Sequence, residues 1–289
     1  MDMPLDPEEL EASAAAQIAA EIPAATTLGA VHLTVADLDR SLAYYRETFG
    51  LRVLSQDDGR AALGGDTELL VLVEEPGARP APGHTGLYHF ALLVPERADL
   101  ARWLAHAARE RIPLVGLSDH FVSEAIYLSD PDQHGIEIYW DRPRETWEGQ
   151  VARMGTWPLD VQSLLSELAD PATEPFDGIP GATVMGHVHF KVADVGSTVG
   201  FYRDRLGFGL MAQLGSQAAF LSAGGYHHHV GANTWESAGA PPPPPGSAAL
   251  RQATVVLPGR RELDELLGRI GADEPLVRDP SGNALLLTT

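Results

Sequence analysis

Val31-His-Leu-Thr-Val-Ala-Asp37 returns later in the chain as Val188-His-Phe-Lys-Val-Ala-Asp194. The same shift of 157 residues lays Tyr202 on Tyr45, Arg203 on Arg46 and Gly207 on Gly50. Both copies read alike: an alternating strand, an Asp that caps a helix, an amphipathic helix with Tyr and Leu on one face, and a Gly stop. A repeat of this length and spacing sets the architecture before any single residue is interpreted.

A second, weaker repeat lies between and after these copies. His89-Phe-Ala-Leu-Leu-Val-Pro95 matches Gln252-Ala-Thr-Val-Val-Leu-Pro258. A helix is predicted after each, over 99–109 and 262–270, followed by strands. Each then closes on a turn and an edge, Asp130-Pro131 through Trp140 and Asp279-Pro280 to the C-terminus. The pattern predicts an α+β fold of two domains, each a tandem pair of βαβββ modules forming cupped mixed sheets. Residues 1–27 form an N-terminal arm and 28–145 hold modules 1 and 2. A connector over 146–181, helical around 161–168, leads to modules 3 and 4 over 182–289. Pro241 to Pro245 form a stiff extended spacer between the last two modules.

The chain has 289 residues, with 40 acidic against 20 basic side chains and a formal net charge of −20. Such a surface repels phosphate backbones and argues against nucleic acid as a partner. No apolar run is long enough to span a membrane. The acidic, Ala-rich start (Asp2, Asp6, Glu8, Glu9, Glu11, Glu21) lacks the basic region of a secretory signal. It is expected to be a frayed or weakly helical arm, and the protein is expected to be cytoplasmic. Cysteine is absent, so a bound metal would rest on His and carboxylate ligands.

The run Gly186-His-Val-His-Phe-Lys-Val-Ala-Asp194, the helix with Phe201-Tyr-Arg203 and Leu206-Gly-Phe208 resemble the opening of a vicinal-oxygen-chelate module. More specific are Gly86 to Pro95, His120-Phe-Val-Ser-Glu-Ala-Ile-Tyr127, Asp130 to Pro143 and Ala223-Gly-Gly-Tyr-His-His-His229. Together they resemble the catechol-2,3-dioxygenase-like branch labelled CatE, over residues 28 to 289. The resemblance implies a metal held by two histidines and one glutamate, carried over as His89, Glu137 and His187. A facial set of two imidazoles and one carboxylate leaves adjacent coordination positions open for a bidentate catecholate and O2. The other possible set is degenerate: Ala30, Gln252 and Leu286 stand at the three positions. One metal site per chain is therefore expected, built by modules 2 and 3 together.

Within that site some choices stay open. His189 shares the strand face of His187 and competes with it as the ligand. The resemblance places an acid–base histidine near the end of the His227-His228-His229 strand, matched to His229 with His228 as its rival. A histidine suits proton transfer near neutrality. Tyr127 is matched to a tyrosine that hydrogen-bonds the substrate oxygen, and His120 stands close by. Tyr88, Trp140, Tyr226 and Trp235 are candidates for an aromatic pocket. Gln133-His134 departs from the family's commoner Gly-Asn and puts Cβ atoms where positive φ is often needed.

The resemblance implies an extradiol ring-cleaving dioxygenase with Fe(II) or Mn(II) as cofactor, and an aromatic diol and O2 as partners. Homo-oligomer formation stays open. Two rivals stand beside it. A glyoxalase-like isomerase or transferase would add a fourth protein ligand, often a second Glu. A resistance-type protein that sequesters an aromatic ligand would lose the metal ligands.

Overall fold

In the computed structural model, residues 21–289 are described; the expectation for the acidic arm falls largely on residues outside them. Module 1 comprises β1 (Thr27–Val35), a helix (Leu38–Phe49), β2 (Arg52–Asp57), β3 (Arg60–Gly64) and β4 (Glu68–Glu74), with a two-residue strand β5 (Arg79–Pro80) after it. Module 2 comprises β6 (Gly86–Leu93), a helix (Arg97–Glu110), β7 (Gly116–Asp119), β8 (Ser123–Ser129) and β9 (Gly135–Asp141). The connector carries β10 (Trp157–Pro158) and a short helix, Val161–Leu165. Module 3 has β11 (Val184–Lys191), a helix from Val195 that widens into a π turn over Gly200–Arg205, β12 (Gly209–Leu214), β13 (Ala218–Ser222) and β14 (Val230–Asn233). After β15 (Ser247–Ala248), module 4 has β16 (Leu250–Val256), a helix (Arg260–Ile270), β17 (Leu276–Arg278) and β18 (Ala284–Thr288). Module 4 thus closes with one strand fewer than the repeat predicts.

The predicted caps hold. Asp37 accepts from Arg40 N and Asp194 from Ser197 N, while Gly50 ends its helix at φ 69°. The repeated tyrosines find a common use. Tyr45 donates to Asp130 at 2.9 Å and Tyr202 to Asp279 at 3.5 Å, tying the helix of one module to the Asp-Pro turn of the next. At that turn Gln133 adopts φ 66°, whereas module 4 has Gly282 at φ 86° in the matching place. The left-handed geometry is kept although the residue there is not glycine.

The two sheets do not follow the two halves of the chain. One runs β17-β18-β16-β1-β4-β3-β2 and joins modules 4 and 1. The other, curled into a half-barrel, runs β10-β7-β8-β9-β6-β11-β14-β13-β12 and joins modules 2 and 3. In each sheet the first strands of two modules meet antiparallel, with a parallel pair on either side. This pairing removes the open edge that a lone module would leave along its first strand.

The helices pack on a main apolar core that draws residues from both sheets, with smaller clusters beside it. The helices of modules 1 and 2 meet through Phe49 and Trp103, stacked 5.6 Å apart, with the indole donating to Thr48 O. Odd positions of β1 (Val31, Leu33, Val35) enter this core, so the even ones face the concave side. Among the described residues no helix is long and apolar enough to cross a membrane.

Candidate metal centre

The seam between β6 and β11 positions the site. His89 pairs with His189 across it and His187 pairs with Ala91, while β9 brings Glu137 alongside Ala91 from the other side. The side chains of His89, Glu137 and His187 converge on the concave face. His89 Nε2 and His187 Nε2 lie 3.3 Å apart, and Glu137 Oε2 stands 3.0 Å from the first and 3.1 Å from the second. All three are buried.

This triangle fits a metal ion. Cis donors on an octahedral ion with bonds of about 2.1 Å are about 3 Å apart, the spacing found here. Without an ion, two buried imidazole nitrogens would crowd one carboxylate oxygen. Burial and the neighbouring imidazoles His89 and His227 depress the His187 pKa, although Glu137 pulls the other way. Burial alone would raise the Glu137 carboxyl, yet His187 and His89 outweigh it and hold it well below its usual range. A neutral imidazole and an ionised carboxylate are the forms that coordinate a metal. No Glu stands on β14 to add a fourth ligand.

His189 is turned to other work. Asn233 accepts from Trp235 N through Oδ1, so its Nδ2 donates to His189 Nε2 at 3.0 Å. The ring packs against Tyr88 and Trp235 and over Gly231, where a Cβ would come within 2.8 Å of it. Tyr88 and Trp235 therefore meet beside His189 and flank the triangle with aromatic surface. Trp140 packs instead on the core side of its strand.

The His227-His228-His229 run is not a strand. Ladder pairing resumes only at Val230, because a turn at Gly224 and Gly225, with φ of 58° and 68°, precedes the triplet. The side-to-side alternation that a strand would impose on the three rings fails for that reason. His228 lies against His187, with ring centroids 4.2 Å apart, and His227 points to Asp141. His229 turns back over its own turn, where Nδ1 accepts from Ala223 N at 3.1 Å. Burial, then the nearby His227 and His187, push the His229 ring down to about 3. Burial and His187 hold the His228 ring well below its usual value.

Tyr127 on β8 stands opposite Glu137 on β9. His120 Nδ1 is 2.6 Å from Gly155 O and must donate to it. Its Nε2 is then the acceptor for the Tyr127 hydroxyl at 2.7 Å. Burial and the Glu137 carboxylate raise the Tyr127 phenol well above its ordinary value, which keeps it protonated.

Sequence reasoning passed over Tyr139 and Asp141, although strand alternation puts them on the face of Glu137. Tyr139 Oη fills the place where a Cβ on Gly186 would sit, 1.8 Å away. Its hydroxyl is 2.8 Å from that of Tyr226, which donates to Asp141 at 2.7 Å.

The sheet of modules 1 and 4 has the same seam without the metal ligands. His32 pairs with Gln252, and Ala30 lies among Ala62, Val71 and Val73. Burial, then Arg60 and Arg251, lower the His32 ring to about 4. Between about pH 6.5 and 4 the unfolded chain therefore binds a proton that the folded protein refuses, and stability falls as pH drops through that window. His32→Gln is expected to flatten this slope. Urea unfolding at several pH values reads it, and an unchanged slope would contradict the assignment.

The profile of the Glyoxalase/Bleomycin resistance protein/Dioxygenase superfamily matches residues 27–138. The chain is 44% identical over 254 residues to catechol-2,3-dioxygenase of Bacillus subtilis, covering 85% of this chain and 87% of that one. The chain belongs to this superfamily, in which it is a homologue of a catechol-2,3-dioxygenase. Among solved structures, one from Bacillus subtilis superposes with a TM-score of 0.60 at 15% identity, over 91% of this chain and 85% of that one. Glyoxalase I from Zea mays superposes with a TM-score of 0.52 at 16% identity, over 91% and 92%. These two likenesses bear on the fold alone.

Proposed function

We propose that the protein is an extradiol ring-cleaving dioxygenase that inserts both atoms of O2 into a catechol-type aromatic diol at a mononuclear non-haem Fe(II). The observation that carries this reading is the buried three-ligand triangle of His89, Glu137 and His187, with the rings of Tyr127 and His228 against its histidines. The homologous Bacillus enzyme carries the same activity in its name. Iron bound there would supply a docking point for diol and O2 and a route for electron density from one to the other.

The chain's own residues prepare the substrate. Tyr88, Trp235 and the ring of His189 offer aromatic surface to the diol ring. Among the described residues no protein group meets His228 Nε2, which is free to take a hydroxyl proton from the diol. Tyr127 donates to His120, so its oxygen accepts a hydrogen bond from the second hydroxyl, with His120 behind it. His228 takes the acid–base role in preference to His229, whose Nδ1 is engaged with Ala223. The ring bond beside the diol breaks, and both oxygen atoms remain in one semialdehyde-acid product. A need for divalent iron favours a reducing, cytoplasmic setting.

The test is anaerobic reconstitution with Fe(II), and with Mn(II) in parallel, then catechol, then air. Oxygen uptake with a yellow product is expected. Turnover of a 2-oxoaldehyde–thiol adduct with Zn(II) or Ni(II), with catechol untouched, would make the protein a glyoxalase-like isomerase instead.

A further inference from the structure

One partly buried chain of hydrogen bonds ends at the ring beside the metal triangle. Tyr226 donates to Asp141 Oδ2 at 2.7 Å, and its hydroxyl is 2.8 Å from that of Tyr139. His227 Nε2 lies 2.8 Å from Asp141 Oδ1, and His227 Nδ1 lies 2.8 Å from His228 Nδ1. The His227 ring is fully buried and held between Tyr226 and Trp147, at centroid distances of 4.0 and 5.7 Å.

We propose that Asp141, acting through His227, fixes which nitrogen of His228 carries its proton, and so keeps His228 Nε2 a bare acceptor facing the site. The inference rests on the dioxygenase reading for its effect on turnover, but not for the proton arrangement itself. A carboxylate only accepts, so His227 Nε2 must donate to Asp141. In a neutral ring His227 Nδ1 then carries the lone pair. His228 Nδ1–H donates to it, and His228 Nε2 is left unprotonated. The direction of each bond follows from the charge at one end. Asp141 and His227 are positioning residues, because their hydrogen bonds run to each other, to Tyr226 and to His228 and not to the triangle.

Asp141→Asn reverses the sequence. With Tyr226 donating to the new amide oxygen, the amide nitrogen faces His227 Nε2 and donates to it. His227 must then donate from Nδ1, His228 must accept at Nδ1, and its proton moves to Nε2. The full-length protein, labelled with 15N-histidine and loaded with Zn(II), reads this directly in two-bond 1H–15N spectra. Wild type and Tyr226→Phe are expected to show the Nδ1–H form of His228, and Asp141→Asn the Nε2–H form, with metal content equal in all three. In the Fe(II) enzymes, kcat for catechol in Asp141→Asn is expected to fall by at least about 10²-fold with KM held. An Nε2–H form in wild type overturns the inference even if Asp141→Asn fails to fold, and so does an unaltered tautomer in Asp141→Asn. A tautomer reversal in protein that never turns over catechol would leave this inference standing and remove the dioxygenase reading.

Discussion

His89→Ala, Glu137→Ala and His187→Ala should each purify folded and without stoichiometric metal. Each removes one corner of a triangle whose edges are 3.0, 3.1 and 3.3 Å, leaving two donors that hold an ion weakly. His189→Ala should keep its metal, because that ring is engaged by Asn233. Metal analysis beside circular dichroism on the four proteins decides the point. Full occupancy in His187→Ala with loss in His189→Ala would require the triangle to be redrawn. Depressed ligand pKa values give the pH dependence its sign. Above the normal carboxyl range Glu137 is ionised and ready, so metal retention should fail only on the acid side.

The second large effect concerns the proton. His228→Gln should keep the metal and lose turnover by roughly 10²–10⁴-fold, the usual worth of a positioned acid–base group. His229→Gln should stay within a few-fold of wild type, since its ring is folded back on Ala223. Turnover and metal content on the same preparations separate the two residues. A collapse in His229→Gln with near-normal His228→Gln would reverse the assignment.

Much of this arrangement was legible in the sequence. The repeat from Val31 and Val188 exposed the modules, and the degenerate set Ala30, Gln252 and Leu286 pointed to a single site shared by modules 2 and 3. Strand periodicity could do that because a ligand position is fixed by its place in a module. It failed at His227 to His229, where two left-handed glycines turn the chain before the ladder restarts. Period two has no meaning off a ladder, so it could not tell which of His228 and His229 packs against His187. Between His187 and His189 the sequence favoured His187, the one in the triangle, but left the other open for another reason. Both rings share the concave face, and only Asn233, at the far end of β14, draws one of them away. The Tyr45–Asp130 and Tyr202–Asp279 ties were present as repeated letters, but their pairing joins positions 85 and 77 residues apart and has no local signature.

The exchange of module partners also bears on the order of assembly. His89 and His187 are 98 residues apart, and the strands that carry them pair only after the connector between them is in place. Closing so long a loop costs entropy that local contacts do not offset, so this seam is expected to form late in folding. A nascent chain that has emerged only through module 2 presents His89 and Glu137 and no more. Under the proposed function, metal uptake during synthesis would wait for β11, and binding of the ion would report that the two halves of the chain have found one another.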